Sequence, residues 1–289
     1  MFDICCIGHI TQDRVVTPRS VKYMPGGTAY YFSCALANFD VKYKLITSVG
    51  NSELHYVEQL LKEGLNVEVH PSAKTVFFEN IYGGNPDDRT QNVLAVADTF
   101  NADKLESIQS KIFHLGPLLN TDISIEVIKL LASKGLVSVD VQGYLRRVVN
   151  QKVIPSVWDD SKRALQFVHT IKADENELSM LTGYQTVYDG VKKLADLGVR
   201  EIIVTNGSKG SIIYLDETFH QIPAFRPNVI LDATGCGDTY MAGYLYSRVK
   251  GNTVLDCGRF AAAMASLKME QHGPFTGDKD QVLNFLSKQ

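Results

Sequence analysis

Residues 232–238 read Asp-Ala-Thr-Gly-Cys-Gly-Asp and combine two glycines with a carboxylate. The apolar residues leading into this run predict a short strand and those after it a helix, so Gly235, Cys236 and Gly237 would form the turn between them. Backbone amides at a helix start are unpaired and carry the positive end of its dipole, so they can hold phosphoryl oxygens. Asp238, in the first helical turn, can accept the proton of an attacking hydroxyl. The run therefore predicts phosphoryl transfer, the alternative being a glycine turn with Asp238 as a mere helix cap.

A second group of polar side chains follows a predicted strand at residues 136–141. Asp140 and Gln142 offer acceptors and donors for a polyhydroxylated substrate, and Arg146 can reach a substrate or a phosphate group. Ligands of parallel sheets bind at the carboxyl ends of the strands, which is where these residues are expected.

The elements that must position these residues alternate along the chain. Strand-like apolar runs are predicted at residues 3–8, 44–49, 111–115, 136–141, 167–171 and 201–205, and helical patterns at 28–38, 124–133, 188–197, 253–269 and 279–287. Such alternation predicts an α/β fold with a mainly parallel central sheet covered by helices on both faces, in one domain spanning residues 1–289. Residues 12–23 and 75–99 break the pattern and predict short hairpins, with a turn around residues 83–88.

Composition excludes several classes of function. The 289 residues are 45% hydrophobic, which suffices for one large core, and the formal charge of −3 has both signs interspersed. No basic patch or amphipathic basic helix predicts a nucleic-acid or membrane surface, so the expected partner is a small molecule. Five cysteines without paired spacing, and no signal peptide or long apolar span, predict a reducing cytoplasmic location.

Four segments, taken in order, resemble the PfkB/ribokinase family of carbohydrate kinases. They are the Gly-Gly pair at Gly26 and Gly27, the Asp174–Leu178 segment resembling Asn-x-x-Glu, the Thr205–Gly210 segment resembling Thr-x-Gly-x-x-Gly, and the run 232–238. The resemblance covers about residues 3 to 275. It implies a ribokinase-like fold, ATP and Mg²⁺ as cofactors, and a small β lid over the sugar site, formed here by about residues 12–23 and 75–99. It also implies a homodimer formed through that lid.

The resemblance further implies roles for individual residues. Asp13, Gly26, Gly27 and Tyr31 would contact the substrate, Thr205, Gly207 and Gly210 the nucleotide, and Asp174 and Glu177 the magnesium ion and its waters. Asp174 and Glu177 also match a helix capping box, and both roles can hold at once. The family places adenine and a monovalent cation near residues 272–274.

Two departures from the family pattern bear on the substrate. Tyr31 stands where the family often has Asn, which disfavours a ribose-type substrate and supplies an aromatic face. Gln142 and the spacing of Arg146 disfavour a keto-acid sugar. The Asp140–Gln142 segment and the aromatic Tyr31 after the Gly-Gly pair loosely resemble the inositol kinase branch. We therefore expect ATP-dependent phosphorylation of a small sugar or cyclic polyol, such as myo-inositol. The alternatives are a nucleoside kinase of the same family and a noncatalytic sugar-sensing relative.

Overall fold

The computed structural model describes residues 1–83 and 89–289 of the chain. The strands are β1 (Phe2–Ile7), β2 (Thr11–Thr17), β3 (Ser20–Gly26), β4 (Tyr43–Val49), β5 (Val67–Pro71), β6 (Val76–Tyr82), β7 (Arg89–Ala95), β8 (Ser110–Leu115), β9 (Leu136–Asp140), β10 (Arg146–Val149), β11 (Lys152–Pro155), β12 (Thr170–Asp174), β13 (Glu201–Thr205), β14 (Ser211–Leu215) and β15 (Thr218–Ile222). The α-helices are α1 (Thr28–Leu36), α2 (Leu54–Lys62), α3 (Ile125–Ala132), α4 (Ser161–Ala164), α5 (Glu175–Thr182), α6 (Val187–Asp196), α7 (Cys236–Val249), α8 (Val254–Met269) and α9 (Lys279–Leu286).

The main sheet has nine strands in the order β15-β14-β13-β12-β9-β8-β1-β4-β5. All neighbours from β13 to β5 pair in parallel, whereas β14 and β15 form an antiparallel hairpin at one edge. The prediction of a mainly parallel sheet is confirmed. Its central strands are buried on both faces, which explains their nearly continuous apolar sequence.

Helices cover both faces of this sheet, as predicted. One hydrophobic core lies between the sheet and helices α1, α2, α7, α8 and α9, and the other between the opposite face and α3 to α6. The first core is rich in aromatic rings, and the second is mostly aliphatic. Packing on both faces fixes the positions at which the strands and helices end.

A second sheet has six strands in the order β10-β11-β7-β6-β2-β3. It contains the β2–β3 and β6–β7 hairpins predicted at residues 12–23 and 75–99. It also contains the β10–β11 hairpin, which the sequence analysis did not foresee. The predicted turn at residues 83–88 lies, from residue 84 on, outside the described residues. That this sheet acts as a lid stays a prediction.

One local expectation was wrong. No strand precedes the run 232–238, because the residues after β15 form a loop that approaches the end of α8. There the amides of Leu231 and Asp232 donate to the carbonyl of Met269, at 2.8 and 3.3 Å, instead of to a neighbouring strand. The loop is thus tied to a helix end. Across the described ranges, no helix has both the length and the apolarity needed to cross a membrane.

Candidate active site

Helix α7 begins at Cys236, and Gly235 is its N-cap with a φ of 77°. An L-residue rarely adopts this left-handed conformation, and glycine does so at no steric cost. Space gives a second reason for glycine, since a Cβ on Gly235 would lie 2.2 Å from a ring carbon of Tyr31. The glycine predicted from the turn is therefore required by both its backbone angle and the packed tyrosine ring.

The amides at the start of α7 differ in availability. The Cys236 amide donates to the Ala233 carbonyl at 3.2 Å, so it is already engaged. The amides of Gly235, Gly237 and Asp238 have no hydrogen-bond acceptor in the part of the chain that the structure describes. Unpaired amides at the positive end of a helix can bind an anion. The geometry thus favours the amides of Gly235 and Gly237 over that of Cys236 as hydrogen-bond donors to an anion. The Cys236 amide could take its predicted role only if its hydrogen bond to the Ala233 carbonyl broke.

Asp238 lies in the first turn of α7, beside these amides, and keeps part of its surface accessible. Burial of the carboxylate, followed by repulsion from Asp140, raises its pKa to about 6, while Lys172 and a hydrogen bond from Thr28 act in the opposite direction. A carboxylate with this pKa is ionised at neutral pH and is more basic than an ordinary aspartate. Both properties suit a general base.

Sequence reasoning missed Lys172, which lies on β12 and is 6% exposed. Its Nζ is 2.9 Å from Oδ2 of Asp140 at the end of the neighbouring strand β9. Burial opposes the charged form of Lys172, but Asp140, Glu177 and Asp238 together raise its pKa. A Cβ built on Gly237 would lie 3.1 Å from this Nζ, so the ammonium lies directly beside the start of α7.

Asp140 was predicted to contact the substrate, but it is only 2% exposed. Its Oδ2 binds Lys172, and its Oδ1 accepts the amide of Gln142 at 3.0 Å. This geometry favours a role in holding Lys172 over direct contact with a substrate. Gln142 is partly accessible in the turn that follows. Arg146 begins β10 and therefore belongs to the second sheet.

Asp174 and Glu177 form the capping box that the sequence suggested. The Glu177 amide donates to Asp174 Oδ1 and the Asp174 amide to Glu177 Oε2, both at 2.7 Å. Each carboxylate keeps a second oxygen that has no hydrogen-bond donor within residues 1–83 and 89–289. Over those residues no three His, Cys, Asp or Glu side chains converge on a metal site. A magnesium ion here would therefore take most of its ligands from phosphate and water, which is its usual preference.

The predicted nucleotide residues and the start of α7 line one cavity of about 580 Å³. Thr205, Gly207 and Gly210 form one wall, and Cys236 and Gly237 form another. Gly210 has a φ of 94°, and a Cβ there would collide with the Ile222 carbonyl. The rest of the lining is mostly apolar: Ala224, Phe225, Pro227, Ile230, Tyr240, Ala262, Ala265 and Met269. The cavity therefore joins an end that carries the unpaired Gly237 amide to an apolar end.

Four of the predicted substrate residues, Asp13, Gly26, Gly27 and Tyr31, lie together where β2 and β3 lead into α1. Gly26 passes so close to Asp13 that a Cβ would lie 2.6 Å from its Oδ2, and Gly27 caps α1 with a φ of 89°. Tyr31 is only 3% exposed and its ring packs on Gly235. The face of the ring is thus largely covered by other residues of the protein rather than open to a substrate. Burial raises the pKa of Tyr31, and so do Asp13 and Asp238, which places both carboxylates near this ring.

Comparisons with known proteins agree on the family. The sequence pattern described as pfkB family carbohydrate kinase matches residues 1–280. A cytidine kinase of Thermococcus kodakarensis is 26% identical over 285 residues, covering 96% of this chain and 99% of that protein. A pyrophosphate-dependent kinase in the ribokinase family, solved with a pyrophosphate analog and myo-inositol, is 27% identical, with a TM-score of 0.84 over 97% of this chain and 99% of that one. Arabidopsis thaliana ribokinase, solved with ribose and ATP, shares the fold at 21% identity, with a TM-score of 0.80 over 99% and 98% of the two chains.

Proposed function

The chain belongs to the PfkB family of carbohydrate kinases, a family of phosphotransferases that act on hydroxyl groups, and we propose that it transfers the γ-phosphoryl group of ATP to a small sugar or cyclic polyol. The observation that carries this proposal is the position of Asp238. It lies in the first turn of α7 beside the unpaired amide of Gly237, which lines the apolar cavity, and its charge, like that of Asp13, acts on the buried Tyr31 ring. A base beside an anion cradle and a cavity for the donor are what phosphoryl transfer to a hydroxyl needs.

In this mechanism Asp238 accepts the proton of the attacking hydroxyl. The amides of Gly235 and Gly237 stabilise the charge on the transferred phosphoryl group, and they are oriented for it before the reaction starts. Lys172 adds a fixed positive charge beside Gly237. Asp174 and Glu177 would hold Mg²⁺ through its waters, and the ion, when bound, neutralises charge on the donor phosphates.

The cavity supports ATP as donor. Pyrophosphate carries no ring, so a pyrophosphate-dependent enzyme needs the anion cradle but not the apolar end of a 580 Å³ cavity. Ligand pockets of several hundred cubic ångströms with apolar walls are typical of ring-bearing ligands. The pyrophosphate-dependent relative makes pyrophosphate the donor to test against ATP.

The acceptor is proposed from the polar groups near Asp13. A ring with several hydroxyls could donate to the Asp13 carboxylate, which also accepts the Thr11 hydroxyl, and to Gln142, and the relative solved with myo-inositol supports a cyclic polyol. The cytidine kinase relative supports a second candidate, a nucleoside acceptor. Unpaired polar groups left by a poor substrate cost about 1 to 3 kcal/mol each, so discrimination between the two should be sharp.

A donor-by-acceptor panel tests the proposal. ATP and pyrophosphate are each combined with myo-inositol, hexoses, ribose, cytidine and adenosine, and phosphorylated products are detected by ³¹P NMR, which reports product from either donor. We expect ATP with a polyol or sugar to give the fastest reaction, and Asp238→Asn to slow it by about a hundredfold or more. Product only from cytidine or adenosine would make the chain a nucleoside kinase, and product only from pyrophosphate would refute the donor.

A cavity-filling variant tests the donor site separately. Ala265 lies on the face of α8 that lines the cavity, so Ala265→Phe should raise KM for ATP by about tenfold, equivalent to about 1.4 kcal/mol, and leave KM for the acceptor unchanged. Ala195→Phe is the matched control, since Ala195 is also a partly buried helical alanine but lies outside the cavity lining. Equal effects of the two variants on ATP would contradict this assignment.

A further inference from the structure

Lys268, near the end of α8, is fully buried at 0% exposure. Its ammonium group contacts three oxygens: the Asp232 carbonyl at 2.9 Å, Asp232 Oδ2 at 3.1 Å and the Gln271 carbonyl at 3.4 Å. Burying a lysine costs free energy unless its charge is compensated. Backbone carbonyls and a carboxylate are also the oxygens that coordinate a dehydrated monovalent cation such as K⁺.

These oxygens belong to the segment that leads into the anion cradle. Asp232 Oδ1 accepts the Thr234 amide at 2.9 Å, and Oδ2 also accepts the Gly273 amide at 3.3 Å. The ammonium of Lys268 thus ties the end of α8 and the following turn to the first residue of the run 232–238. Removing it would leave the Asp232 carbonyl without this donor and the Asp232 carboxylate without its counter-charge, just before the amides proposed to bind phosphate.

The monovalent cation that the family resemblance places near residues 272–274 would have to bind beside the oxygens that the Lys268 ammonium contacts. Any cation bound to the Asp232 carbonyl and carboxylate would lie within a few ångströms of the Lys268 ammonium, where like charges repel strongly. The residues present therefore do not fit a diffusible cation at these oxygens. Packing alone does not explain the lysine, because a methionine of similar length would fill the space without a buried charge.

We propose that the ammonium group of Lys268 is a built-in substitute for a diffusible monovalent cation, so that the kinase proposed above needs no K⁺ or NH₄⁺ for activity. Lys268 is in this view a positioning residue, which fixes the segment before the anion cradle through Asp232. The activity measurements below rest on the proposed function, whereas the measurement of thermal unfolding does not.

The first experiment uses the wild-type protein. Activity is measured at constant ionic strength with KCl, NaCl, NH₄Cl or choline chloride, and all counterions of ATP are replaced by Tris. We expect the same kcat in each salt within about twofold, because the cation site is already filled. Saturable activation by K⁺ or NH₄⁺ over choline would overturn the proposal.

The second experiment uses Lys268→Met, which removes the charge and keeps the length of the side chain. In choline, kcat should fall by about tenfold or more, and K⁺ or NH₄⁺ should restore it, because the freed oxygens can now coordinate a cation. Lys250→Met is the control, since Lys250 is a solvent-accessible lysine paired with Asp40, away from this segment. A folded Lys268→Met that is fully active in choline, or that no cation restores, would refute the role.

Thermal unfolding gives a readout that requires no substrate. K⁺ should raise the Tm of Lys268→Met above its value in choline at equal ionic strength, because a ligand that binds only the folded state stabilises it. The Tm of wild type and of Lys250→Met should not differ between the two salts. Lys268→Gln is measured alongside, in case the methionine variant does not fold. A K⁺-specific rise in wild type would contradict the proposal even if the proposed kinase reaction were never observed.

Discussion

At the scale of single residues, Asp238 owes its properties to its surroundings. Burial and repulsion from Asp140 raise its pKa to about 6. The folded protein therefore disfavours the ionised carboxylate, although the positive end of the α7 dipole favours it. Shifted pKa values of this kind are common among the reactive groups of active sites. Two measurements, of activity and of stability, separate the functional role of Asp238 from a structural one.

Replacing Asp238 by Asn should lower kcat by about a hundred- to ten-thousandfold, because the amide cannot accept the hydroxyl proton. In the wild type, kcat/KM should fall as the pH drops through about 6, where the carboxylate of the free enzyme becomes protonated, and it should be level above about pH 7. Initial rates between pH 5 and 9 check both expectations. A variant with more than half of the wild-type kcat would remove Asp238 as the base.

The same variant should be more stable than wild type at pH 8. The pKa of Asp238 is higher in the folded than in the unfolded chain, so its ionisation destabilises the fold as pH rises from below 4 through about 6. Asparagine resembles the protonated form and avoids this cost. Urea unfolding at pH 8 and pH 5 should show a gain in unfolding free energy that is larger at pH 8, whereas a loss at both would mark Asp238 as a structural cap.

The Lys172–Asp140 pair gives a prediction of the opposite sign. Lys172→Met leaves Asp140 charged and buried, and losing one partner of such a pair typically costs about 3 to 5 kcal/mol. Adding Asp140→Leu should recover much of the unfolding free energy, since an apolar pair needs no compensation, but not the activity. Recovery of kcat in the double variant would show that the lysine charge does not serve the reaction.

The two buried lysines, Lys172 and Lys268, were not predicted from the sequence. The motif residues were found because glycines and carboxylates at fixed spacing have few other uses. Lys172 and Lys268 lie inside a strand and a helix, and a lysine there is indistinguishable by type from an exposed one. A signal existed for Lys172, because a charge within an apolar strand requires a buried partner on a neighbouring strand. The partner, Asp140, was identified in the sequence, but it was predicted to contact the substrate rather than Lys172.

At the scale of elements, the start of α7 depends on one glycine. Gly235→Ala should destabilise the chain, because alanine in the left-handed region costs about 1 to 2 kcal/mol and its Cβ would also collide with the Tyr31 ring. Adding Tyr31→Ala should remove the collision but not the backbone cost. Chemical unfolding of the single and double variants separates the two contributions, and an unchanged Gly235→Ala would contradict both.

The elements themselves were predictable to different degrees. Long buried strands and helices have a strong apolar pattern, and the main sheet followed from it. The segment before residue 232 was misread because apolar residues in a loop resemble a strand when their hydrogen-bond partner, here the Met269 carbonyl, is distant in sequence. The hairpin of β10 and β11 is short and half exposed, so its pattern was too weak to recognise.

At the scale of the whole molecule, the second sheet presents an exposed apolar face. Val16 pairs with Val21 on one side and Ile81 on the other, and Tyr23 lies two residues from Val21 on the same face. Val21, Tyr23 and Ile81 are exposed. Exposed apolar patches on a sheet commonly mark interaction surfaces. This face supports the expectation of a homodimer formed through the second sheet.

The double variant Val21→Lys/Tyr23→Lys should therefore be monomeric at concentrations where the wild type is a dimer, because four added charges would be buried at a two-fold interface. Light scattering after size-exclusion chromatography measures the mass of each. Tyr184→Lys, at an exposed tyrosine outside this sheet, is the control. A wild type that stays monomeric at all concentrations would refute the dimer.

The order of strands in the main sheet also has a consequence for synthesis of the chain. Strand β1 is made first but lies between β4 and β8, and β8 begins only at Ser110. While the ribosome builds the residues between, the first strand has an unpaired edge on at least one side, open to pairing with another nascent chain. Folding of the sheet must therefore wait for translation, and chaperone binding to the early chain would protect this first strand until β8 is made.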